Sequence, residues 1–285
     1  MPDPAARGIY FGEGPRWHDG RLWFSDFFGH CVHALAPDGD DEVVLRIDGQ
    51  PSGLGWLPDG RLLVVSMLDH AILRQEPDGR VVGHADVSPF ARHRSNDMLV
   101  DPAGRAYVGN FGFDAAAADP RDRAPAPTSL TGVSADGRVT EAAAGLMFPN
   151  GMVLTPDGAT LIVAETYGAR LTAFDVAPDG TLSGQRTWAD LSGTGIYPDG
   201  ICLDAEGAVW VADAARPACV RVRAGGEIAA QERFSQRCYA CALGGPDGRT
   251  LYALTAPTSD EAIAAQAPRG LVEQVRVRVP GAGPP

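Results

Sequence analysis

Apolar residues in this chain come in short runs, and the runs come in pairs separated by a turn. The unit is an apolar run, an Asp-Gly or related turn, then a second apolar run. It occurs in Pro15–Phe24, Leu54–Val65, Met98–Val108 and Met152–Val163, then around Glu206-Gly207 in Ile201–Val211 and around Asp247-Gly248 in Cys241–Leu254. The turn glycines Gly20, Gly60, Gly104, Gly158, Gly207 and Gly248 lie 40 to 54 residues apart. A second turn follows in most units, at Asp38-Gly39, Asp78-Gly79, Asp136-Gly137 and Asp179-Gly180, with Gly225-Gly226 in that place in the fifth. Asp-Gly between β-prone runs is a hairpin signal, because glycine reaches positive φ without a Cβ clash. Two hairpins in every ~45 residues make a four-stranded antiparallel sheet, the blade of a propeller. Six units predict an all-β, six-bladed β-propeller, with residues 1–285 as one domain. The sixth unit has a third strand near Leu271–Arg276. Its fourth is expected from the N-terminal segment around Ile9-Tyr10-Phe11, which would close the ring. Only Ala115–Ala118 and Glu261–Gln266 suggest helix, one turn each, and Pro120 and Pro268 limit both.

The repeat gives certain polar residues a shared position. Asp199 stands eight residues before Gly207, Asn150 eight before Gly158, Asn96 eight before Gly104 and Glu13 seven before Gly20. In a blade with strands A to D from the axis outwards, these residues enter strand A and point into the central channel. The equivalent slots in blades two and six hold Ser52 and, approximately, Ala240. Taken singly, each is an ordinary turn former. Four in equivalent slots, two of them anionic, are costly unless a cation pairs them. An all-oxygen set without His or Cys favours a hard divalent ion. One ion per chain is expected, with Ca²⁺ ranked first and Mg²⁺, Mn²⁺, Zn²⁺ or Fe²⁺ as alternatives. The B–C loops fall at the mouth of this channel and bring Phe27, Phe28, His30, His70, Phe111 and Tyr167 near it. The longest, Gly112–Ser129, and the Ala256–Pro268 segment read equally as lids or as plain surface insertions.

Composition narrows the partners. A net charge of −12 and a pI near 4.9 argue against nucleic acid or an anionic membrane. All 24 basic residues are arginine, so lysine Schiff-base chemistry is excluded. No apolar run approaches the ~18 residues of a bilayer span, and the first residues lack the apolar core of a signal peptide. A cytoplasmic protein is expected. The five cysteines fit reduced thiols rather than a disulfide framework. Period-2 alternation places Cys238 and Cys241 on opposite strand faces, as buried small hydrophobes rather than a redox or zinc pair. No G-x-S-x-G elbow supports a serine-hydrolase triad.

Several stretches resemble one family. They are Gly12-Glu13-Gly14-Pro15-Arg16-Trp17, Arg94-Ser95-Asn96-Asp97 with Asp101–Arg105, Pro149-Asn150-Gly151, Pro198-Asp199-Gly200 and Cys241–Gly245. Together they are similar to the senescence-marker-protein, gluconolactonase and luciferin-regenerating-enzyme family, the regucalcin-like lactonases, over roughly residues 8–277. The resemblance implies a six-bladed propeller, one divalent ion and, usually, hydrolysis of a small-molecule lactone. It implies Glu13, Asn150 and Asp199 as metal ligands, Asn96 as a further ligand or substrate contact, Arg94 as a substrate-binding residue and Asp199 as general base. Phe27, Phe28, Phe111 and Tyr167 would shape the pocket. The chain departs from the family where sugar lactonases commonly read Gly-Thr-Met: it has Gly109-Asn110-Phe111-Gly112-Phe113. Its lid offers only Asp114, Asp119 and Asp122 as acidic residues. The expected activity is metal-dependent lactone opening. Organophosphate hydrolysis, a strictosidine-synthase-like lyase reaction and a non-enzymatic calcium-binding propeller stay open as alternatives.

Overall fold

The six units fold into six four-stranded antiparallel sheets in a computed structural model that describes residues 3–114, 117 and 123–283. After β1 (Asp3–Ile9), blade one is β2 (Gly12–His18), β3 (Arg21–Asp26), β4 (Cys31–Leu35) and β5 (Asp41–Arg46). Blade two is β6 (Pro51–Trp56), β7 (Leu62–Ser66), β8 (Ala71–Gln75) and β9 (Val81–Asp86). Blade three is β10 (Ser95–Val100), β11 (Ala106–Asn110), β12 (Thr128–Val133) and β13 (Val139–Leu146). Blade four is β14 (Pro149–Leu154), β15 (Thr160–Glu165), β16 (Arg170–Val176) and β17 (Leu182–Asp190). Blade five is β18 (Pro198–Leu203), β19 (Val209–Asp213), β20 (Ala218–Val222) and β21 (Ile228–Arg233). Blade six is β22 (Arg237–Gly244), β23 (Thr250–Ala256) and β24 (Gly270–Arg276), completed by β1.

The ring closes because β1 pairs with β24, from Asp3↔Gln274 to Ile9↔Gly270. The closing strand therefore lies a few residues earlier than the Ile9–Phe11 centre expected. Beyond it, Phe11 is already part of the channel lining. The helical expectation at Glu261 holds as one turn, α1 (Glu261–Ala264). Most of Ala115–Ala118, with Asp119 and Asp122, lies outside the described residues. Among the described residues no helix is long and apolar enough to cross a membrane.

Burial follows strand position. Inner strands such as β10 and β14 are buried along their whole length, while the outer β9 and β21 have no buried residue and expose half or more of theirs. Each neighbouring pair of blades shares an apolar cluster. Val32, Leu54 and Val64 join blades one and two; Val65, Met98 and Val108 join two and three; Leu99, Met152 and Val163 join three and four. Ile162, Ile201 and Val211 continue to blade five, Trp210, Cys241 and Leu251 to six, and Phe24, Leu254 and Val272 return to one. No blade buries its own faces, so the ring folds as a cooperative whole.

The inner strands also carry β-bulges at the end where the chain enters them. Pairing steps from Ser95↔Asn110 to Met98↔Val108, from Pro149↔Glu165 to Met152↔Val163 and from Pro198↔Asp213 to Ile201↔Val211. Two residues thus oppose one, which bends the strand and re-aims its side chains. The residues at these bulges are Asn96-Asp97, Asn150-Gly151 and Asp199-Gly200, with Ser52-Gly53 in blade two. The glycines are required by the neighbouring blade: a Cβ on Gly53 would sit 2.2 Å from the Met98 nitrogen, and one on Gly151 2.5 Å from the Ile201 nitrogen.

A bulge also corrects the cysteine expectation. In β22 the register shifts between Cys238 and Ala240, which resets the alternation. Cys238 and Cys241 consequently share one apolar cluster with Cys219 instead of facing opposite ways. Both are free and fully buried, as expected of small hydrophobes.

Gly53→Ala forces backbone against backbone, so it is expected to cost about 2 kcal/mol or more of folding stability. Gly83, in an outer strand with nothing within 4 Å of its would-be Cβ, serves as the control. Urea unfolding of Gly83→Ala is expected to match the parent to about 0.5 kcal/mol.

Candidate metal centre

Glu13, Asn96, Asn150 and Asp199 come from four different blades to one cavity of about 1140 Å³, and all four are buried. Asn96 Nδ2 donates to Asn150 Oδ1 at 3.2 Å, and Asn150 Nδ2 donates to Thr166 Oγ1 at 3.1 Å. Ser52, in the blade-two slot, donates from Oγ to Asn96 Oδ1 at 3.3 Å. The Asn96 oxygen therefore faces Ser52, and its amide faces Asn150. Asp199 Oδ1 is buried and has no hydrogen-bond partner among the described residues.

The segments entering the inner strands are held by carboxylates at the ends of the second strands. Asp26 accepts from the Tyr10 and Phe11 backbone N–H groups, both at 2.9 Å, and Asp213 accepts from Tyr197 N–H at 3.2 Å. Glu165 accepts from Met147 N–H at 2.8 Å and pairs with Arg170 at 2.7 Å. These buckles fix the backbone from which Glu13, Asn150 and Asp199 project.

Electrostatics then becomes the main feature of the floor. Burial pushes the Glu13 carboxyl well above the usual carboxylate range, and the charges of Asp199 and Asp97 add to it. Asp199 is raised in the same direction by burial and by Asp97, against hydrogen bonding from Asn150. Asp97 occupies the position that is glycine in blades two, four and five. Burial raises it too, with Arg16 opposing, and its Oδ1 is another unpartnered buried oxygen. Arg16 is tied down by donating to the Met98 carbonyl at 2.6 Å. Three carboxylates against one guanidinium leave a formal charge of −2, which one divalent cation neutralises. The donor set of carboxylate and carboxamide oxygens suits a hard ion.

A second cluster also gathers potential metal ligands. Asp26, Cys31 and His33 are buried, with potential ligand atoms within 4.8 Å of one another, an acidic/His group consistent with a single divalent ion. Its donors are already committed, however. Asp26 holds three backbone N–H groups, Cys31 Sγ lies 3.2 Å from His33 Nε2, and His33 Nδ1 lies 3.0 Å from Asp41. That Asp41 contact, working against burial, holds the His33 pKa up at about 9. Asp26 does for blade one what Asp213 does for blade five. The axial group has the unspent oxygen and the uncompensated charge, and is the better-suited centre.

Above the floor the cavity is lined by aromatic side chains, including Phe27, Phe28, Phe111 and Tyr167 as the sequence suggested. Arg94 is there too. Its Nη2 donates to Glu261 Oε2 at 2.7 Å and its Nη1 to Gln50 Oε1 at 3.3 Å. His70 and Asp114 border the cavity, whereas His30 instead bonds the Asp48 carbonyl at 2.9 Å. Sequence reasoning missed Arg16, Asp97 and Glu261. A break in the glycine position of the repeat marked Asp97; nothing marked Glu261, which is 167 residues from Arg94.

The chain belongs to the family described as the SMP-30/Gluconolactonase/LRE-like region, which it matches over residues 11–257. The sequence is 29% identical to Pentonolactonase XacC of Haloferax volcanii over 253 residues, covering 86% of this chain and 81% of that one. It is 28% identical to a 6-deoxy-6-sulfogluconolactonase of Pseudomonas putida over 282 residues, covering 96% and 94%. The structure is similar to that of a calcium-binding protein, regucalcin, from Agrobacterium tumefaciens, with a TM-score of 0.81 at 25% identity and coverage of 99% and 95%.

Glu13 and Asp199 bind protons more tightly folded than unfolded, so in the metal-free protein their contribution to stability falls as pH rises from the unfolded carboxylate pKa of about 4 towards neutral. Asp199→Asn removes part of that penalty. Metal-free thermal melts are expected to show the variant gaining on the parent between about pH 4.5 and pH 7.5. Calcium added at the higher pH is expected to raise the Tm of the parent more than that of the variant.

Proposed function

We propose that the protein is a metal-dependent lactonase that opens a cyclic ester by attack of water on its carbonyl carbon. The observation that carries this reading is the convergence of Glu13, Asn150 and Asp199 beneath a large cavity, with Asp199 Oδ1 unpartnered. Two relatives whose names describe lactonases, acting on a pentonolactone and on a sulfogluconolactone, support the substrate class.

Glu13, Asn150 and Asp199 would hold the ion, which supplies Lewis acidity towards the lactone carbonyl oxygen and steadies the negative charge that develops there. Asn96 fixes the Asn150 amide and contacts substrate from the same side. Asp199, with one carboxylate oxygen unpartnered, takes a proton from the attacking water and delivers it to the ring oxygen as the acyl C–O bond breaks. The product is the open hydroxy acid. Arg94 hydrogen-bonds oxygen atoms on the substrate, and Phe111 and Tyr167 pack against its carbon skeleton and limit water at the mouth.

Asp199→Asn is expected to lower lactone turnover by about 100-fold or more while leaving a native-like far-UV spectrum. Exhaustive chelation, verified by elemental analysis, is expected to abolish turnover and calcium to restore it. Acid release from sugar, alkyl and aryl lactones checks this, with phosphotriesters alongside. Parental rates from Asp199→Asn would remove the base assignment, and hydrolysis confined to phosphotriesters would replace acyl with phosphoryl chemistry.

A further inference from the structure

We propose, building on the lactonase reading above, that the preferred substrate is a lactone carrying an aromatic or extended apolar substituent, held between two aromatic walls. One wall belongs to blades three, four and five. Its ring centroids run Phe111–Phe148 at 4.7 Å, Phe148–Tyr167 at 5.6 Å and Tyr167–Tyr197 at 6.3 Å. The other belongs to blades six and one, with Phe11–Tyr239 at 4.7 Å and Phe11–Phe28 at 5.9 Å. In a six-membered ring, blade one stands opposite blade four and blade six opposite blade three. The walls therefore lie on opposite sides of the axis above the carboxylate floor, and they meet on the blade-two side, where Phe111 packs against the cluster of Phe11, Met67 and Tyr239.

Phe148 is held there against its own backbone preference. It adopts φ of +60°, a region in which a bulky side chain is disfavoured, and it immediately precedes Pro149 and the floor residue Asn150. The strained backbone sets its ring among Phe111, Phe113 and Tyr167 on the cavity side. Apolar surface is also left open at this mouth. Leu68, Tyr167 and Tyr197 are each about 44–45% exposed and all border the cavity.

One set of polar groups at the mouth is engaged with itself. Arg94, Gln50 and Glu261 form a closed triangle, with Gln50 Nε2 donating to Glu261 Oε1 at 3.4 Å. The ring faces of these walls offer no hydrogen bonds, whereas an aryl or alkyl group set between them gains from leaving water. The cavity, at about 1140 Å³, has room for a lactone ring and a substituent of drug-like size.

The test compares kcat/KM for γ-butyrolactone, γ-phenyl-γ-butyrolactone, γ-nonanoic lactone and glucono-δ-lactone on the metal-loaded full chain. The two substituted lactones are expected to exceed both of the others by about tenfold or more, mainly through KM. Phe148→Ala and, on the facing wall, Phe28→Ala are each expected to lower the phenyl-to-unsubstituted ratio about fivefold or more. That ratio, taken on one preparation, does not depend on how much of a variant folds. A preference for glucono-δ-lactone, or ratios unchanged in both variants, would overturn the proposal and leave the lactonase reading standing. If none of the lactones is opened, that reading fails instead, and calorimetry decides this one separately. γ-Phenyl-γ-butyrolactam is then expected to bind more tightly than glucono-δ-lactam and to weaken in Phe148→Ala, and the reverse order would refute the walls as a ligand site.

Discussion

The charge collected on the channel floor is the constraint to which the rest of the structure answers. Glu13, Asp97 and Asp199 are brought out of water by three different blades, and Arg16 balances only one of them. An uncompensated buried charge costs on the order of 3–5 kcal/mol, which a propeller without a use for it would shed by mutation to apolar residues. Everything nearby preserves the arrangement instead. The bulges aim the side chains inward, the glycines let neighbouring inner strands approach, and the buckles at Asp26, Glu165 and Asp213 hold the entering segments. The floor is a built receptor for positive charge.

The cavity wall is separated from that floor by one layer of chain. The residues two positions before the floor slots are Phe11, Gln50, Arg94, Phe148 and Tyr197, and all but Gln50 border the cavity. Blades four, five and one thus offer aromatic surface where blades two and three offer polar groups. Two repeat positions, two residues apart, have separate places: one builds the floor and the other lines the cavity just above it. The Arg94–Glu261 pair is half exposed and worth about 0–1 kcal/mol, which makes it a weak latch that a suitable ligand group can displace.

The repeat was legible in the sequence because Asp-Gly turns and period-2 runs are local features, and local spacing was enough to align Glu13, Asn96, Asn150 and Asp199. What was hidden depends on departures from that regularity. A bulge changes strand parity without a signature of its own, which is why Cys238 and Cys241 fall in one cluster. The closing strand begins at Asp3 because pairing with β24, settled only in three dimensions, selects the register. Glu261 meets Arg94 across most of the chain length, and Phe148 is recognisable as strained only from its backbone angle.

Two buried clusters of this fold compete for a divalent ion. Anomalous diffraction from crystals grown with Mn²⁺ distinguishes them in a single map. A peak within coordination distance of Glu13, Asn150 and Asp199 is the predicted result. A peak instead at Asp26, Cys31 and His33, or an axis filled only by solvent at saturating Mn²⁺, would contradict it.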